Sequence, residues 1–463
     1  MLDDSWATKA ATDLAAAIRD REIKSRELLE LYLARIDRLN PALNAVVTVA
    51  AGPALAAADE ADARTASGAE VPPLHGLPIT IKDAIETTGI RSTGGAIELT
   101  DHIPAIDAPA VTRLKQAGAL VFGKTNLPRW SGDGQSFNEI FGTTNNPWDL
   151  GRTPGGSSGG PAAAVAAGLT AFELGTDIAG SVRLPSHCCG TYGLKPSYGV
   201  VPQRGYLDSV GGGSTDADIN VFGPMARSAG DLDVLMTVLA GPEPARQPAW
   251  RIELPASSVL SLSGARIAVW LDDPENPGER AMVEVLRRAI DRISDAGAKV
   301  EEVRPPVTPT RQLDLFTKLI TSAVSVSAGD SAEAMAGSHL AWLMNQRERA
   351  AIKDTWAAWF TGYDALLTPV MCTTAFPHLQ EGDVTTRQLH IDGASRPYLS
   401  IIFWTGMFGL LEVPVAAAPV GRTAGGLPVG MQVITPFLQD RRAVALAGLI
   451  GEIAGGYERP PGC

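Results

Sequence analysis

The sequence predicts an α/β fold, a mostly parallel or mixed sheet covered by helices, and three observations lead there. Leu77 to Ile81 alternates like a strand, 107–117 reads as a helix that Gly118 stops, and Ala119 to Phe122 is strand-like again. The same order returns with a strand at Ala265 to Trp270 and a helix at 281–296 that carries Val283, Leu286, Ile290 and Ile293 on one face. Gly297 stops that helix and Lys299 to Val303 is another strand. Third, no Pro/Ser-rich or charged linker and no repeat period interrupts the 463 residues, although length alone would suggest about three domains. Strands that alternate with helices bury their apolar faces best as a sheet layered with helices.

In chain order, residues 1–70 are predicted helical. Leu28, Tyr32, Ile36 and Leu39 recur at helical spacing, Ser25 can cap their helix, and Asn40-Pro41 ends it. Leu77 to Ile81 then delivers Lys82 at a strand end. Further on, Gly-Gly-Ser-Ser-Gly-Gly (155–160) is followed by Pro161 and an Ala/Val run that closes at Gly168, which predicts a short helix over 161–167. Thr170 to Leu174 reads as an apolar strand, Gly175 to Ser181 as a second turn, and Ser181 as the opening of another helical piece. Ile401 to Val420 has the length of a membrane span, but Glu412, Pro414 and Pro419 mark it as buried core.

With 45% apolar residues the chain can bury a large core. Lys plus Arg is 39 and Asp plus Glu is 51, a net charge of −12, and no basic run is present, so nucleic acid and anionic membrane are poor partners. The four cysteines (Cys188, Cys189, Cys372, Cys463) have no metal spacing, and the adjacent pair makes a poor disulfide framework. The start, Met-Leu-Asp-Asp-Ser-Trp, is acidic and has no apolar signal core. A reduced, cytoplasmic setting without metal or other cofactor is the expectation.

Chemistry concentrates between Gly155 and Lys195, where Ser157 and Ser181 each sit among glycines, 24 positions apart. Glycine permits close backbone approaches that other residues forbid. A hydroxyl in such a turn lies where backbone N–H groups can point at whatever it attacks, above all near a helix N-terminus. Plainer readings exist. A Gly/Ser stretch is often a flexible linker, and a phosphate loop lacks its Gly-Lys-Ser/Thr ending here. Gly155-Gly156-Ser157-Ser158-Gly159 formally matches a G-x-S-x-G nucleophile elbow, yet Asn145 to Pro154 before it reads as loop where that fold needs a strand. A serine nucleophile needs a base. None of the six histidines occupies a triad motif, and His187, near Ser181, is more often simply packed. A lysine serves if burial keeps it neutral.

Together these segments resemble the amidase signature family, serine hydrolases of amides that use a Ser–cis-Ser–Lys triad. The pattern GGSSGG, GTD-x-GGS-I-R and CG-x-x-GLKP corresponds to Gly155–Gly160, Gly175–Arg183 and Cys189–Pro196. Gly76–Asp83 is similar to the family's lysine segment, and Gly123–Asn126, Gly223–Ser228 and Gly426–Gln432 extend the likeness. The resemblance implies a single α/β/α domain over 1–463, with a large twisted mixed β-sheet covered by helices on both faces. Within it, 1–70 would be an N-terminal helical region, 75–230 the signature core and 400–450 the C-terminal part of the core. The resemblance also implies roles: Ser181 as nucleophile, Ser157 as the bridging serine after a cis peptide, and Lys82 as general base. The N–H groups of Ile178, Ala179, Gly180 and Ser181 would form the oxyanion hole. Gly155, Gly156, Ser158, Trp130 and Tyr206 are expected to contact substrate, with Phe403 and Trp404 as apolar lining. Asp177 and Arg183 would brace the loop, and Lys195 would be structural.

Two departures from the family pattern stand out. Ala179 replaces the usual glycine, and its methyl is expected to crowd the acyl pocket or to exclude a positive φ. Gly205 to Val221 is longer and glycine-studded, which suggests a mobile lid. The expected activity is hydrolysis of small-molecule amides by water through an acyl-enzyme, with aryl amides, carbamates (urethanes) and esters as substrates. A homodimer is admitted but not required. Two alternatives stay open: the amidase subunit of a tRNA-dependent amidotransferase, which the altered 205–221 segment argues against, and a catalytically silent binding protein on the same fold, disfavoured because Lys82, Ser157 and Ser181 are all present.

Overall fold

The computed structural model describes residues 2–463, so of the 1–70 reading only Met1 lies outside the described residues. Helices α1 (Ala11–Arg19), α2 (Ser25–Leu43) and α3 (Ala51–Ala66) open the chain, with strand β1 (Val46–Val49) between the last two. Leu28, Tyr32 and Ile36 are buried on α2, as their spacing predicts. Its ends differ from the expectation. Lys24 rather than Ser25 is the N-cap residue: Glu27 accepts the Lys24 N–H at 3.0 Å, and Asp62 of α3 accepts the Ser25 N–H at 2.7 Å. The helix also runs through Pro41, because the Asn40 side chain accepts the N–H groups of Ala45 and Val46 at 2.8 and 2.9 Å and folds the exit only beyond Leu43. β1 escapes the helical reading of 1–70, since four residues are too few to show a period and their partner strand is distant in sequence.

β2 (Pro78–Lys82), α4 (Pro109–Gln116) and β3 (Leu120–Thr125) follow in the predicted order. They assemble with β1 into a three-stranded sheet, β1-β3-β2, in which β2 runs parallel to β3 and Lys82 pairs with Thr125. The strand carrying Lys82 thus stands outside the main sheet. A short hairpin, β4 (Phe137–Asn138) and β5 (Gly142–Thr143), leads to α5 (Gly159–Ala166), β6 (Glu173–Asp177), α6 (Arg183–Cys189), β7 (Tyr192–Lys195), β8 (Val221–Ala226) and α7 (Ala229–Leu239). The second predicted unit is β9 (Arg266–Val269), α8 (Arg280–Asp295) and β10 (Lys299–Glu302). Helices α9 (Pro309–Ala323), α10 (Ala332–Ala336) and α11 (His339–Trp359) follow. The chain then adds β11 (Ala365–Pro369), the hairpin β12 (Gln388–Ile391) and β13 (Ala394–Pro397), α12 (Phe403–Leu410), β14 (Val415–Arg422), β15 (Pro428–Ile434) and α13 (Asp440–Ala454).

Eight strands form the main sheet in the order β10-β9-β11-β15-β14-β7-β8-β6. The first three are mutually parallel and the rest pair antiparallel, a mixed sheet as expected. Helices α8 and α13 pack on β14, α6 on β15 and α7 on β8. Ile401 to Val420 forms part of α12 and β14 and is buried apart from Ile402. No helix among the described residues is long and apolar enough to cross a membrane.

Around the second serine the register departs from the expectation. The strand is Glu173–Asp177 rather than 170–174, so Gly175, Thr176 and Asp177 belong to β6 and the turn begins at Ile178. Pairing decides this: Gly175 lies opposite Gly223 of β8, and a Cβ on Gly175 would stand 2.8 Å from Ser158 Oγ. Glycine here marks a close approach, not a bend. α6 likewise starts two residues past Ser181.

α5 is seated directly on the backbone of Asn126, where a Cβ on Gly160 would run into the Asn126 N and O atoms. Gly160→Ala should lower stability by about 1–3 kcal/mol through overpacking. Gly52→Ala on the exposed side of α3, where a Cβ meets nothing within 4 Å, should raise it by about 0.5–1 kcal/mol. Urea unfolding midpoints of the two variants check both signs.

Candidate active site

β2 is buried along its whole length, so Lys82 ends inside the protein rather than at the wet surface where most strand-end lysines lie. Its Nζ is 2.7 Å from Ser157 Oγ and 2.7 Å from Thr176 Oγ1. Burial drives the amine well below the ordinary lysine range, against the opposing pull of Asp177 and Glu173. An amine so placed is poised to accept a proton from a neighbouring hydroxyl. Sequence reasoning missed Thr176; the only available signal was its place in Gly-Thr-Asp, which reads as turn until the pairing of β6 is known.

The Gly156–Ser157 peptide is cis. Ser136 holds this turn, donating through Oγ to Ser157 O at 3.0 Å and accepting the Gly159 N–H at 2.9 Å. Gly155 packs on Pro185 and Gly156 on the backbone of Gln135, positions with no room for a side chain. The Ser158 N–H donates to Ser181 O at 3.1 Å, which lays the two serine turns side by side. Ser158 Oγ donates to the Thr176 carbonyl and accepts the Thr176 N–H, each at 3.3 Å. Its hydroxyl therefore ties the turn to β6.

Asp177 organises the second turn. Oδ1 accepts the Gly180 N–H at 2.8 Å, Oδ2 accepts the Val182 N–H at 3.1 Å, and the Arg183 guanidinium donates to both oxygens at 2.8 and 3.0 Å in a fully buried pair. Arg183 Nη1 continues to Thr405 O at 3.0 Å and Gln432 Oε1 at 2.9 Å. Burial alone would raise the Asp177 carboxyl, but Arg183 outweighs it and holds the group below its usual range. The bracing expected of Asp177 and Arg183 is present. One expected oxyanion donor is not free, because the Gly180 N–H is engaged by Asp177. The N–H groups of Ile178, Ala179 and Ser181 make no hydrogen bond among the described residues. Gly180 is at φ 121°, and a Cβ there would lie 2.7 Å from Thr405 Oγ1. Ala179 has no positive φ, so alanine in place of glycine is unstrained, and its carbonyl accepts Thr405 Oγ1 at 2.6 Å. Ser181 itself is only 7% exposed. Among the described residues no hydrogen bond joins Ser181 Oγ to Ser157 Oγ. The structure thus brings Lys82 and Ser157 into contact and lays Ser181 beside them through its backbone.

The remaining expected residues divide. Trp130 is half-buried against Gly94, and both Trp130 and Ser131 hold positive φ, 50° and 57°. Ser131 Oγ is buried without a partner. The buried Tyr206 hydroxyl faces Ser131 and Thr176, and burial pushes its pKa up to about 12. Phe403 and Trp404 are core: they pack on each other, and Trp404 on Trp270, in a cluster against which Ile178 and Ala179 rest. His187 is structural, accepting the Gly430 N–H at 2.9 Å through Nδ1 and reaching Thr373 O at 3.1 Å through Nε2. Lys195 is buried and donates to Pro196 O at 3.1 Å. The 205–221 segment is tied down at both ends. Tyr206 bridges to Ile85, and Asp218 accepts Arg349 Nη1 and Gln346 Nε2, each at 2.9 Å.

Comparison with known proteins points to one family. The family model described as Amidase matches residues 27–338 and 316–444. An indoleacetamide hydrolase of Bradyrhizobium diazoefficiens is 33% identical over 474 residues, covering 96% of this chain and 86% of its own length. A glutamyl-tRNA(Gln) amidotransferase subunit from Acaryochloris marina is 30% identical over 471 residues, covering 92% of this chain and 94% of its own. Among solved structures, a bacterial aryl acylamidase belonging to the amidase signature enzymes superposes with a TM-score of 0.83 at 26% identity, covering 98% of this chain and 99% of its own.

Breaking the buried Asp177–Arg183 pair should be expensive. Asp177→Asn is expected to lower stability at neutral pH by about 3–5 kcal/mol, since it leaves a guanidinium buried without its counter-charge. Because the folded carboxyl titrates below its ordinary 3.8, the pair's contribution is present above that pH and fades as pH falls through the depressed folded value. Urea unfolding at pH 7 and pH 3 should show the gap between wild type and variant narrowing in acid.

Proposed function

This chain belongs to the amidase family and is a hydrolase of amides, and we propose that Ser181 is its nucleophile, Ser157 its proton-bridging serine and Lys82 its general base. The observation that carries the assignment is the buried contact of Lys82 Nζ with Ser157 Oγ at 2.7 Å. As Ser181 Oγ attacks the carbonyl carbon, its proton passes to Ser157 while the Ser157 proton passes to the uncharged Lys82 amine. The tetrahedral oxyanion is met by the N–H groups of Ile178, Ala179 and Ser181; losing one such donor typically costs roughly 3 kcal/mol. Collapse expels the amine, which takes its proton back through Ser157, and leaves Ser181 acylated. Water then attacks the acyl-enzyme with the same relay as base, releasing the acid and restoring Ser181.

The substrates we assign are small uncharged amides with aryl leaving groups, together with carbamates (urethanes) and esters. Two observations support this. Ile178 and Ala179 lean on the aromatic cluster around Trp404, which gives the turn an apolar flank, and the chain is similar to an aryl acylamidase along nearly its whole length. A second reading, the amidase subunit of a tRNA-dependent amidotransferase, is favoured by the relative from Acaryochloris marina and opposed by the long 205–221 segment.

Hydrolysis of a nitroanilide by the purified chain with no partner added is the expected result; turnover only with added partner chains would move the assignment to the second reading. Ser181→Ala and Lys82→Ala should each lower kcat by roughly 10³-fold or more. A fluorophosphonate should label Ser181 and spare Ser157, as peptide mapping would show. Because burial depresses the lysine, kcat/KM should climb with pH as the amine loses its proton. A flat profile from about pH 6 to 10, with chemistry rate-limiting, would remove Lys82 as the base.

A further inference from the structure

The three-stranded sheet meets β6 of the main sheet at a buried carboxylate. Glu173, the first residue of β6, accepts Thr80 Oγ1 of β2 at 2.5 Å and Thr125 Oγ1 of β3 at 2.9 Å on one oxygen, and its own neighbour's N–H, Leu174, at 3.1 Å on the other. The Thr80 N–H adds a bond to Thr170 Oγ1 at 2.9 Å just before β6. Thr80 lies two residues before Lys82 on the same face of β2, and Thr125 is the cross-strand partner of Lys82. Both hydroxyls on Glu173 therefore flank the lysine. At the other end of β6, Thr176 supplies the second hydroxyl on Lys82 Nζ.

We propose that Glu173 is a positioning residue for Lys82, clasping the lysine's strand to the strand that leads into the Ile178–Ser181 turn and setting, through its charge, how readily the amine takes a proton. The proposal rests on the reading of Lys82 as base. A clasp alone needs only an acceptor, which an amide would provide; the charge is the additional element. Other charged or titratable groups belong to the elements packed about this region: Asp83 just after β2, Lys124 on β3, Asp177 at the end of β6, Arg183 on α6, Lys195 on β7 and Tyr206 from the 205–221 segment. Asp83 is bonded by Thr93, and Lys124 by Ile85 O and Thr87. Only Asp177 and Glu173 pull the lysine toward its charged form. Asp177 is neutralised by Arg183, whereas Glu173 makes no ion pair among the described residues. Burial lifts the Glu173 carboxyl to about 7 against its hydroxyl donors, so its charge is present above neutral pH.

Glu173→Gln keeps the acceptor and deletes the charge. With less negative potential beside it the ammonium is less favoured, so the acid limb of kcat/KM should move to lower pH by roughly 0.5–1 pH unit. Glu173→Leu, which also removes the acceptor, should lose kcat with little change in KM. A limb that stays at its wild-type position in Glu173→Gln overturns the proposal and leaves Glu173 a purely structural clasp. If Glu173→Gln does not fold, Thr125→Val takes its place: with one donor gone the carboxylate is less favoured, and the limb must shift the same way by a smaller amount or the proposal fails. A wild-type profile with no acid limb would instead sink the Lys82 reading, and this proposal with it; the two failures are therefore told apart by the wild type alone.

Discussion

Removing water from one amine sets the terms for everything around it. β2 is an edge strand of its small sheet, and the open side of an edge strand is ordinarily wet. Here β6 and α5 pack against it, so Lys82 is left with two hydroxyls and no solvent. A charged ammonium is costly in such a place, and a neutral amine with two hydroxyl neighbours is not. The Ser157 contact, the Thr176 contact and the clasp at Glu173 all follow from covering that one edge.

A few residues away the same low-dielectric interior is handled in the opposite way. Asp177 stays charged because Arg183 answers it with two hydrogen bonds, and the pair then uses its remaining capacity on the Gly180 and Val182 N–H groups. A full charge there gives the turn a fixed shape. It also engages the Gly180 N–H and leaves those of Ile178, Ala179 and Ser181 without a hydrogen bond among the described residues. A neutral amine and a charged brace are two answers to one desolvation problem.

Much of this was legible in the residues. The helix at 281–296, the strands on either side of it and the buried character of 401–420 follow from periodicity and from what Pro and Glu forbid. The serine turns showed themselves because glycine clusters are locally constrained, and the placement of Lys82 beside Ser157 came with the family resemblance rather than from spacing. What escaped was set by partners far away in the chain. The register of 170–177 depends on β8, β1 exists only because β3 pairs with it, and Pro41 stays helical because Asn40 folds the chain beyond it. Thr176 and the engaged Gly180 N–H were invisible for the same reason: each is defined by a contact, with Lys82 or Asp177, that no local pattern announces. Ala179 resolves in the alanine's favour, since its backbone never enters the region where glycine would be required.

The separation of the two sheets has a consequence for how such a molecule changes over generations. Lys82 sits at a seam, where its amine on one sheet meets Thr176 of the other and Ser157 of the turn before α5. The apolar flank beside Ile178 and Ala179 belongs to a different layer, built from α9, α11 and α12. Changes of side chain in that layer alter what Ile178 and Ala179 rest on without touching the seam, while a slip of either sheet would part Lys82 from its hydroxyls. The packing beside the turn can therefore vary independently of the contacts that hold the amine.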